Sequence, residues 1–495
     1  MLDRGPEMDL IAGSWAEPAQ PDGVLDNRSP ADLSQLLGTH RWAAAQADRA
    51  VAAARDAGAR FASLPQEART ALVRKIGAVL KAREEELARA IALDVGKPLW
   101  EARTEAQACA GKAAITADEG VKLVAGFPAP GQSSAECRFR PLGVAAVLGP
   151  FNFPVHLPNG HILPALLCGN TVVFKPSEVA PHAAQVYAQC LVEAGVPPGV
   201  FNLVQGPGPV GAALSAHPGV DAVLFTGSWG VGQAIQRACL GQTKLLALEM
   251  GGKNAALILD DADPDKALHD VLFSAFVSAG QRCTAASRAI VLGDARRFAE
   301  RIAKLAAKLV IGHPFDEGVF MGPLASEAAR DKFERGQPGP EVETLLASRR
   351  VEPRGLRGCY VSPSVRLIER ATGSAYEREE LFGPDLAVYA ASSEEEAVHL
   401  ANATDYGLAA SVHTKDAARF DRVQRALQCG VVNWNAPTVG ASGRLPFGGL
   451  KRSGNHRPAA LWSTLYCAAP VAVLRGEPTL DRAKLSPGMQ WGPDE

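Results

Sequence analysis

The chain has 495 residues, 47% of them apolar, which is enough for packed cores in about three units of ~150 residues and excludes wholesale disorder. Fifty-one Lys and Arg against 53 Asp and Glu leave a net charge of −2. That balance argues against a basic nucleic-acid surface and gives no broad attraction to anionic membranes.

Met1 to Leu10 carries Asp3, Arg4, Glu7 and Asp9 and has no apolar signal region. Arg41 to Leu64 is Ala-rich at helical spacing. Gln66 to Val95 continues it, with Leu72, Ile76, Val79 and Leu80 on one face. Gly96-Lys97-Pro98 should stop that helix. Another helical stretch runs from Trp100 to Val121, so the chain is expected to open with helices.

The pattern then changes. Short apolar runs at Val144–Leu148, Thr171–Phe174, Val200–Val204 and Ala222–Phe225 each end in Gly, Pro, Lys or Thr. Between them lie helix-length segments at His161–Cys168, Ala183–Ala194 and Val210–Ala216. Such alternation predicts a parallel sheet with helices on its faces and ligands at the carboxyl ends of its strands. A second α/β alternation starts near Ala255, with strands at Ala289–Leu292 and Leu386–Ala390. Its helices are expected at Arg297–Leu309, Glu394–Ala403 and Asp416–Leu427. Leu461–Leu474 is apolar and contains Pro470, which reads as an edge strand covered by another subunit. No run of ~18 apolar residues suggests a membrane span. The nine cysteines include no C-x-x-C pair, which excludes the common zinc spacings and suits a reducing, cytoplasmic setting. No metal is expected.

Several residues carry candidate chemistry. Cys283 follows Gly280-Gln281-Arg282 at a break after a helix, where a thiolate can be reached; the alternative is a small buried hydrophobe. Glu249 is a lone acid in the apolar run Leu245–Met250. It reads as a paired ion, an edge residue, or a general base with a raised pKa. Asn152, in Pro150-Phe151-Asn152-Phe153-Pro154, is either a turn residue or an amide aimed at an oxyanion. Two glycine loops compete for a phosphate. Gly206–Gly211 matches G-x-G-x-x-G, yet two prolines remove N–H donors. Gly227-Ser228-Trp229-Gly230-Val231-Gly232 keeps every N–H and is preferred for the pyrophosphate. Lys175 and Glu178 follow another strand; a carboxylate there binds ribose hydroxyls and repels a 2′-phosphate, favouring NAD.

Together these segments resemble the aldehyde dehydrogenase superfamily over about Leu10 to Leu474. The resemblance also rests on Phe174-Lys175-Pro176-Ser177-Glu178, Phe225-Thr226-Gly227-Ser228, Glu380-Leu381-Phe382-Gly383-Pro384 and Pro446-Phe447-Gly448-Gly449. Two further stretches, His156–His161 through Thr171 and Ser453–Pro458, are similar to the branch that oxidises N-succinylglutamate 5-semialdehyde in arginine catabolism. Trp229, Arg444, Lys451 and Arg452 depart from that branch, where smaller or neutral residues are usual.

The resemblance implies an α/β fold with a Rossmann-type NAD-binding domain (1–121 and 141–250) and an α/β catalytic domain (251–454). A small β oligomerisation element is expected at 122–140 and 459–476, and a homodimer or homotetramer as the assembly. It implies NAD as cofactor and a small aldehyde as substrate. Cys283 would be the nucleophile, held as thiolate. Asn152 and the Cys283 N–H would hold the oxyanion, and Glu249 would activate the hydrolytic water. Lys175 and Glu380 would bind ribose hydroxyls, and Phe382 would pack near the nicotinamide. A substrate with two carboxylates needs anchors, for which Arg457, His456, Arg282 and Arg444 are candidates, Arg457 foremost; Phe447 is expected at the substrate. Competing readings are a dehydrogenase of another semialdehyde or aliphatic aldehyde, a cysteine-dependent esterase or thioesterase working without nucleotide, and a non-catalytic binding protein.

Overall fold

The computed structural model describes residues 8–492, so the first seven residues of the polar N-terminal stretch lie outside it. The described chain opens with strands, not with the helices predicted. Asp9–Ile11 and Ser14–Ala16 form a tight hairpin turned by Ala12 and Gly13, both at positive φ. Gly23–Ser29 and Asp32–Trp42 form a second hairpin. The strands of the first hairpin are three residues each, and those of the second mix polar and apolar residues, so no apolar run advertised them.

Four helices follow: Gln46–Ala62, Gln66–Ala82, Glu84–Val95 and Leu99–Ile115. The second buries Val73, Ile76 and Leu80 along one stripe. Gly96, at φ 76°, ends the third in the left-handed conformation that a side chain resists, and Pro98 then starts the fourth.

Seven strands make the first sheet, in the order Leu245–Met250, Ala222–Gly227, Val144–Leu148, Thr171–Lys175, Phe201–Leu203, Asp9–Ile11, Ser14–Ala16. The first five run parallel and are buried on both faces, which their unbroken Val, Leu, Ala and Phe runs allow. Register aligns Thr226 with Glu249 and Leu148 with Lys175, so the polar residues at the carboxyl ends share one edge. Phe174, Tyr187 and Phe201 pack edge-to-face or tilted beneath the sheet, each pair 6.3–6.4 Å apart. Burying each such ring contributes roughly 1.5–3 kcal/mol.

The second sheet runs Glu343–Leu346, Ser364–Ile368, Asp385–Ala391, Ala286–Leu292, Asn254–Ile258, Ala409–His413, Val431–Trp434, parallel apart from its first strand. A third, three-stranded sheet joins Phe127–Pro128, Ala135–Pro141 and Ala468–Leu474. The strand predicted over Leu461–Leu474 is therefore shorter. Its first part is a helical turn, Ser463–Tyr466, because Tyr466 is drawn inward to the His161 ring (Oη to Nδ1 2.8 Å). Pro470 sits on the sheet's open edge, where a missing N–H costs nothing. Among the described residues, no helix is long and apolar enough to cross a membrane.

Candidate active site

The helix Pro264–Phe276 gives way to three consecutive residues at positive φ, Ser278, Ala279 and Gly280. Gly280 is obligatory there, since a Cβ would lie 2.2 Å from the Gly383 carbonyl oxygen. Glu101, reaching in from the helix Leu99–Ile115, pins this strained turn. It accepts from the Ser278 N–H (3.2 Å), the Ser278 hydroxyl and Arg282 (2.8 Å). The turn delivers Cys283, partly buried, with its carbonyl held by the Asn254 amide (2.7 Å).

Cys283 stands between two cavities. One, of about 530 Å³, runs along the carboxyl edge of the first sheet. Lys175, Glu178, Gly227, Ser228, Val231, Glu380, Phe382 and Asn152 all line it. Of the preferred glycine loop, only Gly227, Ser228 and Val231 face this crevice. Trp229, Gly230 and Gly232 do not, because the helix Trp229–Ala238 turns them away. Trp229 lies under the Arg452 guanidinium (5.5 Å), and Gly232 packs against Met250. The two glycine loops do not compete: Gly208, Gly211 and Ser215 line the same crevice. Lys332 also lines it and carried no signal, lying in an ordinary polar helix.

Lys175 is buried and reaches Glu178 at 3.3 Å; burial lowers its pKa, with Glu178 opposing. Glu380 accepts from the Gly252 N–H (2.9 Å), and burial raises its pKa to about 7. Phe382, at φ 56°, meets Phe151 edge-on at 5.7 Å.

The second cavity, about 360 Å³, lies between the helices Leu99–Ile115 and His156–Leu167. Asn159 fixes their spacing by donating to the Cys109 carbonyl (3.1 Å) and accepting from Tyr187 (2.9 Å). Cys283, Glu249, Arg282, Phe447, Lys112, His156 and His161 line this cavity. Glu249 is buried, its Oε1 has no hydrogen-bond partner among the described residues, and burial pushes its pKa well above the carboxylate range.

The surroundings of Cys283 oppose the thiolate expected of it. Burial, then the carboxylates of Glu249 and Glu380, push the thiol up; Arg282 and the Thr284 N–H pull it down without offsetting them. Arg457 and His456, expected at the substrate, are exposed and do not line the cavity. Arg444 is on the surface, paired with Glu119 (2.8 Å). Arg282 does border the cavity, but its charge is committed to Glu101.

The profile of the aldehyde dehydrogenase family matches residues 15–469. The chain belongs to that family. Within it, the chain is 42% identical to the N-succinylglutamate 5-semialdehyde dehydrogenase of Chromobacterium violaceum, over 97% of this chain and 99% of that one. The Vibrio cholerae protein of the same name is 41% identical over the same shares. Among solved structures, a mutant of aldehyde dehydrogenase C from Pseudomonas syringae, complexed with NAD+ and octanal, superposes with a TM-score of 0.90. It is 32% identical, covering 96% of this chain and 97% of that one.

Proposed function

We propose that the protein oxidises N-succinyl-L-glutamate 5-semialdehyde to N-succinyl-L-glutamate with NAD. The observation that carries this reading is the position of Cys283, shared by the sheet-edge crevice and the second cavity. The relatives' names supply the substrate.

The crevice suits a dinucleotide. Val231, Ala234 and Ile235 offer an apolar wall for a base, Lys175 and Glu178 offer polar partners for ribose hydroxyls, and the helix starting after Ser228 favours a phosphate. The Glu178 carboxylate disfavours a 2′-phosphate. The chemistry NAD supplies when bound is hydride acceptance. Cys283 Sγ bonds to the aldehyde carbon as its proton passes to water, and the carbonyl oxygen becomes an oxyanion beside the Asn152 amide and the Cys283 N–H. Loss of hydride turns this thiohemiacetal into a thioester. Glu249 then takes a proton from water, the water oxygen bonds to the acyl carbon, and the C–S bond breaks to release the carboxylate.

The crevice lies, on this reading, between a nucleotide-binding unit (1–121 and 141–250) and a catalytic unit (251–454). Residues 122–140 and 459–476 provide the assembly element. The open edge of Ala468–Leu474, with Leu474 exposed, supports a homodimer or homotetramer. Nine free cysteines support a cytoplasmic setting.

An aldehyde panel tests the function. With NAD, kcat/KM should be highest for succinylglutamate semialdehyde. A tenfold preference for another aldehyde would remove that substrate; turnover only of esters, without nucleotide, would remove the oxidation itself.

A further inference from the structure

The second cavity holds charges of unequal freedom. Arg282 is spent on Glu101 (2.8 Å), and Glu105 on Lys97 (2.6 Å) and on the N–H groups of Val155 and His156. Lys112 is different. It lies on the cavity-facing stripe of the helix Leu99–Ile115, with Thr104, Ala108 and Ile115. It is 4% exposed. Its ammonium donates to one neutral acceptor, the Ala460 carbonyl (2.6 Å), and among the described residues no carboxylate pairs with it. An ammonium has three donors and a full charge, and a buried one without a counter-ion is costly. A carboxylate entering the cavity removes that cost, and the attraction is strong in a water-poor wall. His156, whose Nδ1 is buried without a partner, lines the same space.

The cavity also has room that packing does not require. Gly111 and Gly160 sit inside helices, where glycine is unfavourable, and both face the cavity. A Cβ on either would meet nothing within 4 Å. Gly111 is exposed at the cavity mouth and Gly160 half-buried in its wall, and both leave the cavity wide there.

We infer that Lys112 is the specificity-determining residue that holds a carboxylate of the substrate remote from its aldehyde, in the width left by Gly111 and Gly160. This rests on the proposed oxidation of a dicarboxylic semialdehyde.

The test compares the wild type with Lys112→Met and Lys112→Arg, using NAD with succinylglutamate semialdehyde, succinate semialdehyde and hexanal. Lys112→Met should lose about 50-fold or more in kcat/KM on the preferred carboxylated aldehyde, chiefly through KM. That loss should exceed its loss on hexanal at least tenfold, and Lys112→Arg should recover most of it. Equal losses on charged and neutral aldehydes would mean that Lys112 only props the Ala460 strand, and would overturn the inference; so would an unchanged KM. If the wild type prefers succinate semialdehyde, the proposed substrate falls, and the same comparison on that aldehyde decides Lys112. A wild type that prefers hexanal to both overturns the two readings together.

Discussion

Cys283 borders both cavities, whereas Glu249 borders only the second. The carboxylate therefore stands on the substrate side of the sulfur, across from the nucleotide crevice. Buried Glu249 and the partly buried Cys283 thiol are both pushed toward their protonated forms, so the site tolerates one negative charge better than two. On the proposed reaction, water would reach the acyl carbon from Glu249's side.

That division separates acylation from hydrolysis. Glu249→Gln should still release a rapid burst of about one NADH per Cys283. Its steady-state rate should then fall by 10²–10⁴-fold, the usual share of a general base. Stopped-flow absorbance at 340 nm reads both, and a variant without the burst would place Glu249 in acylation instead.

The thiol should be sluggish toward alkylation in the nucleotide-free protein. Burial and two carboxylates raise its pKa, so labelling of Cys283 by iodoacetamide should keep rising well into alkaline pH. In Glu249→Gln the same curve should move to lower pH, since one raising charge is gone. Mass spectrometry of the Cys283 peptide distinguishes it from the other eight thiols.

Asn152 is buried where the Val144–Leu148 strand ends and lines the crevice beside Cys283. Asn152→Ala should lower kcat by 10²–10³-fold with little change in KM, because an oxyanion donor acts in the transition state. An effect confined to KM would make it a binding residue.

Lys112 supplies a pH dependence with a definite sign. Burial lowers its pKa to about 8, with Cys467 opposing; His156 and His161, which burial keeps neutral with pKa values near 4, face it across the cavity. The ammonium is charged below about pH 8 and lost above it. KM for a carboxylated aldehyde should therefore climb as pH rises through about 8, and Lys112→Arg should abolish that climb.

The turn before Cys283 depends on Glu101. Glu101→Ala strands the half-buried Arg282 and frees the strained Ser278 backbone, which should cost about 2–4 kcal/mol of stability. Urea denaturation followed by circular dichroism measures it. A cost under about 1 kcal/mol would show that the turn holds itself.

Much of the frame was legible beforehand. The strands Val144–Leu148, Thr171–Lys175 and Ala222–Gly227 announced themselves because a parallel sheet buried on both faces needs unbroken apolar runs. Cys283, Glu249 and Asn152 stood out because each is a reactive or polar group where the chain breaks or turns apolar. The opening hairpins were missed, since the first has strands of only three residues and the second mixes polar and apolar residues without such a run.

What the sequence by itself determined was the order of elements and the family's chemical groups, because local pattern and motif are properties of neighbouring residues. Which cations remain free is not such a property. Arg457 and Arg282 looked like anchors and Lys112 like one lysine of an Ala-rich helix. Only the tertiary structure, by committing Arg282 to Glu101, leaving Arg457 outside and burying Lys112 without a carboxylate, decided where uncompensated positive charge meets the cavity.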